Sequence, residues 1–289
     1  MKEKSIKSIV KKIVNEEILS IERRKYEDYE GYYNVWKVVS NNNSYILKQA
    51  TIDELNNYNK LNSDSLPKLY GHTKYYNKTY ILIQFINGIN LNEATKENVI
   101  KVLDSLISIQ ERYWNHNGII GISFEEKLSK VIKRKEYLCD EILEKAYDKF
   151  INIFTSCEKT FVHDDLLPFN VIINNEKCKL IDLEYIGILP YPLSICRLIT
   201  HCKEENDYIF YMKEEDKQFA IEYYYTNFIE KHNIDKEKYL KVIKYFMFYE
   251  FTEWVFVYNK YNKSKDQRYE YYYLNSKKLA EEILEGLYD

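Results

Sequence analysis

The segment FVHDDLLPFNVIINNEKCKLIDLEYIG, from Phe161 to Gly187, constrains the chain more than any other stretch. Val171-Ile172-Ile173 is a β-branched run with strand character, Asn174-Asn175-Glu176-Lys177 is a polar turn, and Lys179-Leu180-Ile181 is a second strand. The resulting hairpin holds Asp165, Asn170 and Asp182 near one point, each just outside a strand. That set meets the needs of phosphoryl transfer. One carboxylate orients an attacking hydroxyl and accepts its proton, while an amide oxygen and a second carboxylate hold Mg²⁺ against nucleotide phosphates. A lone loop aspartate is ordinarily a turn or cap residue; the ordered set of three carries the information.

The rest of the composition narrows the class. At 289 residues, with 45% hydrophobic and 30% charged, the chain suits one large domain or two small ones sharing a cleft. A net charge of −3 gives no pull toward nucleic acid or an anionic membrane. No apolar run approaches the ~20 residues of a membrane span, and the first residues lack a secretion signal's apolar core. Cys139, Cys157, Cys178, Cys196 and Cys202 are scattered and in no metal-ligand spacing, as expected of reduced thiols in the cytoplasm. With only seven glycines, each is expected to mark backbone that tolerates no side chain.

The motif resembles the catalytic and metal segments of protein-kinase-like enzymes. It is more closely similar to those of the aminoglycoside phosphotransferase and choline kinase superfamily. The usual form there is His-Gly-Asp-Leu-His-Pro-Gly-Asn followed by Ile-Asp-x-Glu. It is matched by His163, Asp165, Leu166, Pro168, Asn170, Ile181, Asp182 and Glu184. Asp164 and Phe169 stand where that family usually has glycine, and Leu167 where it has a second histidine; no chemical group is lost. The resemblance implies Asp165 as catalytic residue, Asn170 and Asp182 as Mg²⁺ ligands, and ATP as donor.

The remaining segments are read in that light. Ile6, Ile9, Val10, Ile13 and Val14 share a helical stripe, predicting a helix from Ser5 to about Ile21 over a first sheet. Strands are expected around Tyr32–Val38, Ser44–Lys48, Leu66–Leu69 and Thr79–Ile83, with a helix over Thr51–Leu61. Gly31 and Asn34 resemble the family's nucleotide-covering loop, and Lys48 the lysine that grips phosphates. Glu54 is the residue that the resemblance pairs with that lysine, with Asp53 as fallback. Gln84 and Ile86 fall where the family's hinge holds adenine through its backbone. From Asn92 onward the pattern is helical, including 124–154, 215–232, 236–261 and 264–287.

The expected architecture is therefore α+β: a bilobal protein-kinase-like fold. A small antiparallel-sheet N-lobe spans 1–87, a mostly helical C-lobe spans 88–289, and nucleotide lies between them. Pro192 stands about where relatives carry an Asp that braces the catalytic loop. Glu184, Glu250, Glu253 and Trp254 are the candidates for the acceptor, since carboxylates beside aromatic rings suit an amine; the alternative is a core helix whose acids pair with Lys or Arg. The chain is expected to be a monomer or weak homodimer that binds a nucleotide and a small molecule, with neither nucleic acid nor membrane as partner. The rival class is a non-catalytic protein on the same fold, such as a spore-coat or scaffold member.

Overall fold

Helix α1 (Glu3–Lys11) buries Ile6, Ile9 and Val10, and that side closes on a five-stranded sheet. The structure, a computed structural model, describes residues 2–25, 30–92, 94–174, 177–201, 211–261 and 267–288. The sheet comprises β1 (Ile18–Lys25), β2 (Tyr32–Ser40), β3 (Ser44–Ala50), β4 (Leu69–Tyr75) and β5 (Lys78–Gln84). All pairs are antiparallel, in the order β1-β2-β3-β5-β4. Alternation sorts the two faces. Trp36, Val38, Tyr45, Leu47, Tyr80 and Leu82 form one core with α1, whereas Ile46, Ile81 and Ile83 turn to the other side.

That second side is covered by α2 (Ile52–Lys60), which starts on Thr51, whose Oγ1 accepts from the Glu54 amide at 3.1 Å. Leu55, Tyr58 and Leu61 do not belong to the core under α1; they join the large core of the helical half. Polar bonds reinforce the junction. Asn57 Nδ2 donates to the Leu183 carbonyl at 2.7 Å, and Arg112 Nη1 to that of Asn62 at 2.8 Å.

After a two-residue strand β6 (Ile89–Asn90) come α3 (Lys96–Arg112), α4 (Phe124–Lys135) and α5 (Glu141–Ser156). Then follow β7 (Lys159–His163), β8 (Val171–Ile173), β9 (Cys178–Leu180), β10 (Ile186–Pro190) and α6 (Pro192–Thr200). The chain ends with α7 (Glu214–Tyr224), α8 (Lys236–Lys260) and α9 (Gln267–Tyr288). Side chains of Thr95, Ser123, Asp140 and Asp235 cap α3, α4, α5 and α8. Phe150 stacks on Tyr249 at 4.8 Å and meets Phe246 edge-on, tying α5 to α8. Burying each such ring contributes roughly 2–3 kcal/mol. No described helix is long and apolar enough to cross a membrane.

Three of the expected elements differ in their bounds from the sequence reading. The first helix ends at Lys11, because residues 18–25 pair along β2, Ile21 with Val38 and Arg23 with Trp36. Sheet pairing there outweighs the local helical spacing. The stretch 124–154 is two helices, broken where Cys139 adopts φ 54° and Asp140 caps the second. The strand expected at Leu66–Leu69 begins only at Leu69 and runs to Tyr75.

Candidate active site

A cleft of about 340 Å³ opens between the sheet and the helical half, with Lys48, Glu54, Asn170 and Asp182 on its wall. Lys48 stands on β3 opposite Ile81 of β5. Its Nζ donates to Glu54 Oε1 at 2.8 Å and to Asp182 Oδ1 at 2.7 Å. Burial works against the Lys48 charge, but Glu54 and Asp182 leave its ammonium more basic than usual. Burial pushes the Glu54 carboxyl up to about 7, Lys48 pulls it down, and Asp182 adds to the rise. Asp182 itself has φ 64°, a left-handed conformation uncommon outside glycine. That turn, just past β9, brings its carboxylate back to Lys48. Glycine scarcity has a local meaning at Gly88, where a Cβ would collide with the Ile173 carbonyl oxygen.

The loop that carries Asp165 and Asn170 is braced from behind. β7 pairs with β10, His163 opposite Ile186. The His163 amide donates to Ser194 Oγ at 2.9 Å, and its Nε2 lies 2.8 Å from the Ile181 carbonyl. Burial lowers the His163 pKa, so the ring is neutral and Nε2–H is the donor. Asn170 Nδ2 donates to the Asp165 carbonyl at 2.8 Å and to Asp165 Oδ2 at 3.1 Å. Both contacts of the amide nitrogen serve Asp165, which leaves Asn170 Oδ1 to the cleft. With the Asp182 carboxylate it makes a pair of hard oxygen donors, the donor type that Mg²⁺ prefers. The residues present fit that ion.

Adjacent side chains leave the loop in different directions. Asp164 Oδ2 accepts from Lys127 Nζ of α4 at 2.5 Å. Asp165 Oδ1 accepts from Arg197 Nη2 of α6 at 3.1 Å. Arg197 Nη1 reaches Glu250 Oε2 at 3.1 Å and also donates to Glu253 Oε2. Burial works against ionisation of Glu253, yet Arg197, His201 and Arg134 hold its carboxyl down at about 2.

No family model matches the sequence, and no curated protein matches it. Solved structures do match the fold. An aminoglycoside phosphotransferase from Alicyclobacillus acidocaldarius superposes with a TM-score of 0.62 at 12% identity, covering 97% of this chain and 94% of that one. The amicoumacin kinase hAmiN, in complex with AMP-PNP, Ca²⁺ and Ami, gives 0.61 at 13%, covering 98% and 94%. A choline kinase from Cryptosporidium parvum gives 0.58 at 15%, covering 93% and 91%. The chain has the bilobal protein-kinase-like fold.

Within that kinase-like fold the expected residues are distributed as follows. Lys48, Glu54, Gln84, Ile86, Asn170 and Asp182 line one cleft, and Asp165 adjoins it through Asn170. Gly31 sits just before β2 with φ 146°. Asn34 is a correction: alternation turns it to the outer face of the sheet, where Arg23 Nη2 donates to its Oδ1 at 3.0 Å. Its neighbours Tyr33 and Val35 face the cleft instead. Glu184 is half-buried beside Tyr185, whose hydroxyl it makes less acidic. Trp254 stacks on Tyr272 of α9 at 4.8 Å. Sequence reasoning missed Lys127, Ser194 and Arg197. Only Ser194 had a signal, its closeness to Pro192, where the resemblance placed a bracing residue.

Proposed function

We propose that the chain transfers the γ-phosphoryl group of ATP, as its Mg²⁺ complex, to a hydroxyl of a small amine-bearing molecule. The observation that carries this reading is the convergence of Lys48, held by Glu54 and Asp182, with Asp165, held by Asn170. The apolar walls of the cleft, among them Val35, Ile46, Ile83 and Ile172, suit a purine, with the backbone of Gln84 and Ile86 at its edge. Lys48 Nζ neutralises phosphate oxygens. Asp165 aligns the acceptor hydroxyl and takes its proton as the new O–P bond forms and the bond to the departing ADP oxygen breaks. Asn170 Oδ1 and Asp182 would hold Mg²⁺, which when bound draws charge from the phosphates. The lobes meet at about residue 87, with nucleotide between them and the acceptor on the C-terminal side.

The test is phosphate transfer and ADP release measured over a panel of amino alcohols and sugars, with Asp165→Asn as control. Transfer that falls by at least ~10² in the variant while Mg-ATP binding persists is the expected result. Undiminished transfer in Asp165→Asn would overturn the assignment. Nucleotide binding without turnover on any acceptor would favour a non-catalytic role on the same fold.

A further inference from the structure

We infer that Asn90 is a positioning residue for the metal, its side-chain amide fixing the turn that presents Asn170 to the cleft. The inference rests on the phosphotransfer reading above and adds a residue behind one of the metal ligands. Asn170 ends a single helical turn, Pro168–Asn170, that leads into β8. Its amide donates to the Leu167 carbonyl at 2.8 Å, and its carbonyl accepts from the Ile181 amide at 2.9 Å. The residues on either side of it, Phe169 and Val171, both have their carbonyls held by Asn90. Nδ2 donates to the first at 2.7 Å and to the second at 3.2 Å. The two hydrogens of one amide group thus clamp the backbone before and after the ligand.

The partners settle which way the amide points. Carbonyl oxygens only accept, and Arg24 Nη2 of β1, 3.4 Å from Asn90 Oδ1, only donates. Nitrogen therefore faces the turn, and oxygen faces Arg24 of the other lobe. The strand β6 delivers Asn90 to this place, with Ile89 opposite Ile173 and Asn90 opposite Ile172 of β8. Next to it the Leu91 amide donates to the Pro168 carbonyl at 3.2 Å. Asn90 and Asn170 line the same cleft. An apolar residue at position 90 keeps the backbone pairing of β6 and releases the two carbonyls, so that Asn170 Oδ1 loses its fixed direction. Mg²⁺ demands near-octahedral geometry at short range, and groups that orient a ligand are worth about 10–100-fold in metal affinity.

Metal binding can be read without turnover. Protein loaded with a non-hydrolysable ATP analogue is titrated with Mg²⁺, and the rise in Tm gives the concentration at half effect. Asn90→Leu should raise that concentration roughly tenfold, while affinity for the analogue in EDTA stays within about twofold of wild type. Asn90→Ala should do the same, and it carries the test alone where the leucine variant does not fold. A lower melt with an unmoved Mg²⁺ midpoint would mean a merely structural clamp and overturn the inference. So would a variant unchanged in both, or one whose analogue affinity in EDTA falls as far as its Mg²⁺ affinity. Wild type that binds the analogue with no response to Mg²⁺ would overturn the metal assignment and the inference together, leaving the nucleotide site standing. Failure to bind the analogue at all would instead sink the phosphotransfer reading on which the inference rests.

Discussion

Asp164 and Asp165 are neighbours that answer to different partners, one to Lys127 of α4 and the other to Arg197 and Asn170. Their substitutions should therefore fail in different ways. Asp165→Asn should cut turnover by ~10² or more with an unchanged melt. Asp164→Gly should change turnover only several-fold, yet cost about 3 kcal/mol in urea denaturation, because it strands the buried Lys127. The reverse ranking in kcat would move the base to Asp164. Lys48→Ala should lower turnover at saturating substrates more than tenfold, and a change under twofold would refute its role at the phosphates. Glu253 supplies a pH test. Its folded carboxyl, at about 2, lies below its usual 4.5, so the unfolded state binds the proton more readily. The stabilisation is complete above about pH 5 and disappears as pH falls toward 2. Glu253→Gln should flatten that acid limb by about 1–3 kcal/mol, read from denaturation midpoints across the range.

At the scale of elements, the loop that carries Asp165 is braced from α6. Pro192 begins α6, and Ser194, two residues on, accepts from the His163 amide. Ser194→Ala would leave that buried amide without a partner and cost about 1–3 kcal/mol. The melt should drop accordingly, and kcat should fall while the KM for ATP holds. An unaltered melt would argue against the brace. What was legible beforehand follows the same logic of range. The helix start at Thr51 and the hairpin of β8 and β9 are local patterns, and each could be read from residues within a few positions. Asn34 was misplaced because a motif match says nothing of which face of a strand a side chain takes. Lys127 and Arg197 left no trace, since their contacts with Asp164 and Asp165 span 37 and 32 positions. Edge strand β1 was hidden for a related reason, its pairing to β2 being stronger than its own periodicity.

For the whole molecule, ligand linkage gives the broadest check. Mg-ATP at 100 times its Kd should stabilise the fold by about 2.7 kcal/mol, seen as a rise of several degrees in Tm. Chelation with EDTA should remove much of the rise, and Asp182→Ala should abolish its dependence on the metal. A Tm that ignores Mg-ATP would count against the cleft as a nucleotide site. One feature of the architecture reaches beyond binding. α2 carries Glu54 to Lys48, yet its apolar side lies in the large core and Asn57 fastens it to the Leu183 carbonyl. Swinging this helix aside to disarm the lysine would mean tearing open the main core. The Lys48–Glu54 contact is thereby tied to the integrity of the fold, and a condition that breaks the ion pair by moving α2 should also unfold the helical half.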